Sequence, residues 1–359
     1  MDWLVKFANE AKSTDAFKGN SSHTIYLLAG LFGEIGSLLA EFKKETRESG
    51  HYPRLELKIR EELGDSLWYF TRLMSELYPN SVNELNVLNK SPEGFSDKLQ
   101  VILKLSSSVG ELSQSIRLED GSAKEYLNNI WESLCEVSLI TGLSLESSAH
   151  FNLIKIKSRW PTKVERNYTP LFDNEFPENE QIPRLLNIEF RELPGSSKAS
   201  VILRCNGLNI GDRLTDNIQE PDGYRFHDIF HLSYAAFLGW SPVLRALLKC
   251  KRKSNPSIDE GEDGARAAII EEAISATIYS YSKELNYFKD QVSLEYNLLK
   301  TIQSFTSGFE INSVPLWQWE EAILEGFRVY RLLKENKGGY VKMDLINRKL
   351  EYSKPFQND

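Results

Sequence analysis

The residues of this sequence best suited to chemistry are carboxylates and histidines at helical spacing. Glu34 and Glu41 are seven residues apart, two turns along one helix face. Glu62 and Asp65 are three apart and Glu61 and Asp65 four apart, so each pair shares a face. Carboxylates that converge across two packed helices repel one another unless a cation sits between them. An oxygen-only ligand set of this density suits Mg²⁺ or Mn²⁺. Such an ion can hold a triphosphate and polarise water for attack on phosphorus. The competing assignment for any acidic helix is a solvated face. Here Glu34 stands among Leu31, Phe32, Ile35 and Leu38, and Asp65 beside Leu63, Leu67 and Trp68, which argues for partly buried carboxylates.

A second constellation lies in the C-terminal third. Of only five histidines, His227 and His231 are one helical turn apart, with Asp228 next to the first. The i,i+4 spacing places both imidazoles on one face, where they can bind one metal. A later helix, Ala267 to Leu285, opens with Glu271 and Glu272 among Ile269, Ile270 and Ile274. Facing carboxylates would complete a divalent-metal site. The structural alternative is a pair of buried histidines hydrogen-bonded to Glu271 or Glu272. Arg225, Arg245 and the run Lys249 to Lys253 offer charge for phosphate, although Lys251-Arg252-Lys253 reads first as a solvated loop.

The elements that must position these groups are mostly helices. Leu27, Leu28, Leu31, Phe32, Ile35, Leu38 and Leu39 recur at 3- and 4-residue steps between Thr24 and Phe42. Leu55 to Leu77 repeats the pattern and stops at Tyr78-Pro79-Asn80. Further helical patterns run over Ser96 to Leu118, Lys124 to Thr141 and Leu145 to Arg159, the last ending at Pro161. An internal repeat is legible: Gly33-Glu34-Ile35 returns as Gly110-Glu111-Leu112, and Ile59 to Asp65 as Ile130 to Glu136. From 166 to 223 the texture changes to prolines without helical period. Leu186 to Phe190 alternates, Ser200 to Arg204 is β-branched, and Pro194-Gly195-Ser196-Ser197 lies between them, a β-hairpin signal. Helical patterns resume from Tyr224 to Lys334, and Tyr340 to Ile346 can return as a strand beside the hairpin. The predicted fold is mainly α. Residues 1–165 form a duplicated helical bundle, 166–223 a Pro-rich connector with a β-hairpin or small sheet, and 224–359 a second helical domain.

Gly33-Glu34-Ile35-Gly36, followed by Glu61-Glu62-Leu63-Gly64-Asp65-Ser66-Leu67-Trp68-Tyr69, resembles the MazG-like all-α nucleoside triphosphate pyrophosphohydrolases. The resemblance covers residues 20–162. It implies an ExxE helix and an ExxD helix that together hold Mg²⁺, with Glu34, Glu62 and Asp65 as ligands. The family's second glutamate falls at Ser37, and Glu41, one turn on, is the candidate replacement. Asn152, Lys155 and Arg159-Trp160-Pro161 are similar to the family's closing NxxK…RxP segment, which faces the nucleotide phosphates. The second copy keeps Glu111 and Glu136 as candidate substrate-binding groups but carries Gln114 and Ser133 where the other carboxylates belong. Family members build sites between protomers, so a fused duplication implies one composite site and one decayed site in a single chain. The HDxxH segment is similar to one in some MazG-like proteins, without a chemistry of its own.

Composition bounds the rest. The net charge of −8 argues against a global grip on nucleic acid. Three scattered cysteines give no disulfide framework. The most apolar stretch, Ile25 to Ala40, is interrupted by Glu34, and the N-terminus lacks a signal-peptide pattern, so the expectation is a cytoplasmic protein with no membrane span. Three functions fit. The first is an Mg²⁺-dependent hydrolase converting a nucleoside triphosphate to the monophosphate and pyrophosphate, with Glu61 or Glu41 as general base. The second is a C-terminal phosphohydrolase with its metal on His227, Asp228, His231, Glu271 and Glu272. The third is a non-catalytic nucleotide sensor within a homo-oligomer or a larger assembly, such as a phage-defence complex.

Overall fold

The stripe Leu27, Leu31, Ile35, Leu38 and Phe42 is buried along helix α2 (His23–Glu48), after a first helix α1 (Asp2–Ser13). It packs against α3 (Leu55–Leu77), which buries Ile59, Leu63, Leu67, Phe70 and Met74. By length and composition α2 could cross a membrane, contrary to the sequence expectation, but this stripe belongs to the core of the bundle. Phe32 points the other way and is exposed, so it does not enclose Glu34. The computed structural model describes residues 2–48, 51–85, 98–162, 165–195 and 198–355. It divides into two units, Met1–Trp160 and Pro161–Asp359.

In the first unit a second helical hairpin follows, α4 (Lys98–Leu118) and α5 (Ala123–Thr141), each copy of the repeat thus giving one pair of packed helices. The first two residues of the helix expected from Ser96 lie outside the described residues. All these helices share one apolar core. Gly142, at φ 69°, ends α5 in the left-handed conformation that glycine takes without strain. Ser144 then caps α6 (Leu145–Arg159) by accepting from the Ser147 amide at 3.3 Å. Helix α6 does not stay with the second copy; it packs along α3 of the first. Buried Asp15 locks the start of the bundle, pairing with His23 Nε2 at 2.8 Å and accepting from Arg72 Nε at 2.9 Å.

In the second unit the segment expected to be a connector is part of the fold. It supplies three strands, β1 (Leu185–Leu193), β2 (Ser200–Cys205) and β3 (Leu208–Leu214). The chain then forms α7 (Asp228–Leu238), α8 (Pro242–Leu248), α9 (Pro256–Gly261), α10 (Ala265–Ser282), α11 (Tyr296–Phe305) and α12 (Leu316–Asn336). It returns as β4 (Gly338–Asp344) and β5 (Lys349–Ser353). The antiparallel sheet has the order β3-β2-β1-β4-β5, with Ile188 opposite Val341. The strand expected over Tyr340 to Ile346 is therefore β4, while Ser196 and Ser197 of the hairpin turn lie outside the described residues. Helix α7 is buried at every residue and packs on α12, so its polar side chains are held in the unit's core.

Gly64 sets the approach of α3 and α6. A Cβ there would stand 2.5 Å from the Ser148 carbonyl oxygen, so any side chain pushes α6 away. At Gly110, the second copy's counterpart of Gly33 and an exposed position inside α4, a Cβ meets nothing within 4 Å. Gly64→Ala should destabilise the protein by about 1–3 kcal/mol, whereas Gly110→Ala should stabilise it by about 0.5–1 kcal/mol. Urea unfolding of the two variants checks this, and equal effects would remove the close contact as an explanation.

Candidate functional site

Among the described residues, two groups bring three potential metal ligands within 4.8 Å of one another: Glu34, Glu62 and Asp65, and His227, Asp228 and His231. The first lies between α2 and α3, its carboxylates half-buried. Helix α6 closes it. Asn152 donates from Nδ2 to Asp65 Oδ1 at 2.6 Å, and the Lys155 ammonium pairs with the Asp65 carboxylate and lies 3.5 Å from Glu61 Oε1. Both bonds depend on the close approach that Gly64 permits. Groups from the end of the second copy thus complete the carboxylate cluster of the first.

The electrostatics of this cluster follow from crowding. Burial, reinforced by the charge of Asp65, pushes the Glu34 carboxyl up to about 7. Burial and then Asp65, Glu34 and Glu61 push Glu62 up to about 8. Asp65 is also raised by burial, against the pull of Lys155 and Asn152. Burial opposes the charge on Lys155, yet Asp65 and Glu61 outweigh it and hold its pKa above the ordinary lysine value. A divalent cation would reverse the balance that disfavours these carboxylates as anions, and their oxygen donors suit Mg²⁺ or Mn²⁺.

Several sequence expectations need correction. Glu41 does not replace the ligand missing at Ser37. It lies two turns from Glu34, is buried, and is engaged by Lys44 and by the Tyr52 hydroxyl. Burial alone would raise its pKa, but these two partners lower it. Arg159 is buried, with its guanidinium 5.2 Å from the Trp160 ring centroid. In the second copy Glu111 is exposed, Ser133 donates to the Asn129 carbonyl, and buried Glu136 accepts from Lys104 Nζ at 2.9 Å. Among the described residues, Glu111 and Glu136 therefore form no three-carboxylate counterpart of the Glu34 cluster.

The second group is built on α7 and the first turns of α10. His227 Nδ1 faces the Tyr224 carbonyl at 2.9 Å, and the Tyr224 ring stacks on the imidazole with centroids 4.4 Å apart. A carbonyl only accepts, so Nδ1 carries the proton and Nε2 is turned inward. It lies 3.3 Å from Asp228 Oδ1 and 3.9 Å from Glu272 Oε2. His231 is 1% exposed; its Nδ1 contacts Glu271 Oε1 at 2.8 Å, and its Nε2 stands 3.3 Å from Glu272 Oε1 without hydrogen-bond alignment. Burial works against charge on His231, but Glu271 and Glu272 raise its pKa well above the usual histidine value. Glu272 is lowered, because His231 and His227 outweigh its desolvation.

Glu271 corrects the expectation of a metal ligand. It is fully buried, and it also accepts from Ser241 Oγ at 2.7 Å and from the Val243 amide at 2.9 Å. With both oxygens engaged, Glu271 orients His231. Ser241 and Val243 were not singled out from the sequence, although Ser241-Pro242 is a helix-start signal. The arginines proposed for phosphate are also committed. Arg225 pairs with Glu192 and Asp216, Arg245 with Asp173, and Arg252, 1% exposed, with Asp263 and Glu310. Arg252 is thus a core ion pair within a run that reads as a solvated loop.

A mainly helical chain with a carboxylate cluster in its first unit and a histidine helix in its second belongs to a recognisable class. The MazG C-terminal domain family matches residues 167–356, and the chain belongs to that family. The match covers the second unit and so includes the histidine helix; the likeness of the first unit to MazG-like pyrophosphohydrolases rests on its own residues. No curated protein and no solved structure matches the chain.

The raised carboxyls make stability pH-dependent. Glu34 and Glu62 titrate near 7 and 8 in the folded protein against 4.5 ordinarily, so the folded state binds more protons between these values. Without divalent cations, stability should therefore fall as pH rises from about 5 through 8. His23 and His231, also raised, contribute with the same sign. The decisive quantity is the difference between the parent protein and Glu62→Gln. Thermal unfolding in EDTA should show a shallower decline for Glu62→Gln, and a parallel decline would contradict the carboxylate assignment.

Proposed function

We propose that the first unit binds a nucleoside triphosphate with Mg²⁺ or Mn²⁺ and hydrolyses the bond between its α- and β-phosphates. The products are the monophosphate and pyrophosphate. The observation that supports this most is the meeting of Glu34, Glu62 and Asp65 within 4.8 Å, beside a lysine delivered by another helix. Glu34, Glu62 and Asp65 would hold the cation, which supplies charge to polarise a phosphoryl group and lower the pKa of water. Asn152 fixes the Asp65 carboxylate through its 2.6 Å hydrogen bond. Glu61, four residues before Asp65 on the same face, takes the proton of the attacking water. Lys155, held between Asp65 and Glu61, presents its ammonium to the phosphate oxygens.

Ser37 favours one further reading, in which the same cluster binds the nucleotide without turnover. A screen of common and modified nucleoside triphosphates for Mg²⁺-dependent pyrophosphate release separates the two. Turnover should fall about 10²–10⁴-fold in Glu61→Gln and about 10²–10³-fold in Lys155→Ala, and be abolished in Glu62→Gln. Nucleotide binding without pyrophosphate release would select the sensor reading. Release that survives Glu62→Gln would rule out the Glu34 cluster as its source.

A further inference from the structure

The histidine helix carries features that the proposed hydrolysis in the first unit leaves unused. We propose that His227, Asp228 and His231, joined by Glu272, form a binding site for a first-row divalent transition-metal cation of the Zn²⁺ type. The donors already have nearly the spacing of a coordination shell. Around a tetrahedral ion with bonds of about 2.0–2.2 Å, neighbouring ligand atoms stand about 3.3–3.6 Å apart. Here His227 Nε2 is 3.3 Å from Asp228 Oδ1 and 3.9 Å from Glu272 Oε2, and His231 Nε2 is 3.3 Å from Glu272 Oε1.

Two independent observations point to a ligand. The first is that His231 Nε2 is buried and has no well-aligned hydrogen bond, only the Glu272 carboxylate at 3.3 Å, although its own ring is fixed from the other side. An unsatisfied polar atom in a core is costly, and a metal bond satisfies it. The second is the outer layer. Each histidine has its Nδ1 anchored, His227 by the Tyr224 carbonyl and His231 by the Glu271 carboxylate, which leaves both Nε2 atoms directed at the same space. This is the arrangement that metal-ligating histidines require from their surroundings. Glu271 is itself fixed by Ser241 and the Val243 amide, so the orientation is built three layers deep.

The donor set also selects the cation. Two imidazole nitrogens favour Zn²⁺ and its first-row neighbours over Mg²⁺, whereas the oxygen-only cluster of the first unit has the opposite preference. Glu272 is 44% exposed, so one side of the site is open to solvent, and a ligand can enter from there.

Equilibrium dialysis of the full chain against Zn²⁺ in excess Mg²⁺ tests the site. Visible absorption after loading with Co²⁺ reports the ligand geometry. One Zn²⁺ per chain is expected, retained in Glu62→Gln. Affinity should fall at least 100-fold in His227→Gln, and about 10–100-fold in Glu271→Gln, which alters only the support of His231. Because His227 and Glu271 are buried, half-exposed Glu272→Gln provides a variant that keeps the core intact, and it should weaken Zn²⁺ and change the Co²⁺ spectrum. Absence of stoichiometric Zn²⁺ in the parent protein would overturn the proposal. So would affinity and spectrum unchanged in both Glu272→Gln and His227→Gln, or Zn²⁺ lost only in Glu62→Gln.

Discussion

Like charges brought together in a low-dielectric groove must be neutralised, and the first unit is arranged around that requirement. Glu34, Glu62 and Asp65 repel one another, and burial strengthens the repulsion by removing water. Protons, an ammonium group and a divalent cation are the available remedies. The fold supplies the second through Lys155, and it can do so only because α6 lies against α3 at a glycine. Stability and protonation in this unit are therefore one electrostatic balance.

The second unit meets the same requirement with different partners. Its buried arginines are each locked against carboxylates, Arg245 against Asp173 and Arg252 between Asp263 and Glu310. Such pairs leave little charge over for a ligand. The exception is the histidine helix, where orientation is fixed but one nitrogen of His231 has no aligned hydrogen bond and faces only the half-exposed Glu272. Contrast between these neighbouring solutions distinguishes scaffolding from a site more sharply than charge counts do.

Periodic leucines made the helices of the first unit readable, and the repeated Gly-Glu pattern disclosed the two hairpins. Spacing also placed Glu62 with Asp65 and His227 with His231, because helical geometry alone puts such pairs on one face. What escaped was whatever depends on partners distant in the chain. Glu41 lies on the same helix as Glu34, yet Lys44 and Tyr52 claim it. Arg252 sits in a basic polar run and is nonetheless core, since Asp263 and Glu310 come from elsewhere. Strand β3 lacks alternation because most of its residues are exposed, and β5 is short; pairing with β2 and β4 makes each a strand. Glu271 and Glu272 look equivalent in sequence, but their neighbours give one to positioning and leave the other facing the open side.

The order in which the chain emerges during synthesis gives the α3–α6 contact another meaning. Asp65 precedes Lys155 by 90 residues. At roughly 5–20 residues per second, the carboxylates wait about 5–20 s for their ammonium partner. Over that interval the first hairpin can pack its leucines but must keep its acidic groove hydrated, protonated or occupied by a cation from solution. The second hairpin is made within the same interval. Helix α6 follows that hairpin and carries Lys155 back to the first one, so the groove gains its ammonium only after the second hairpin has been made.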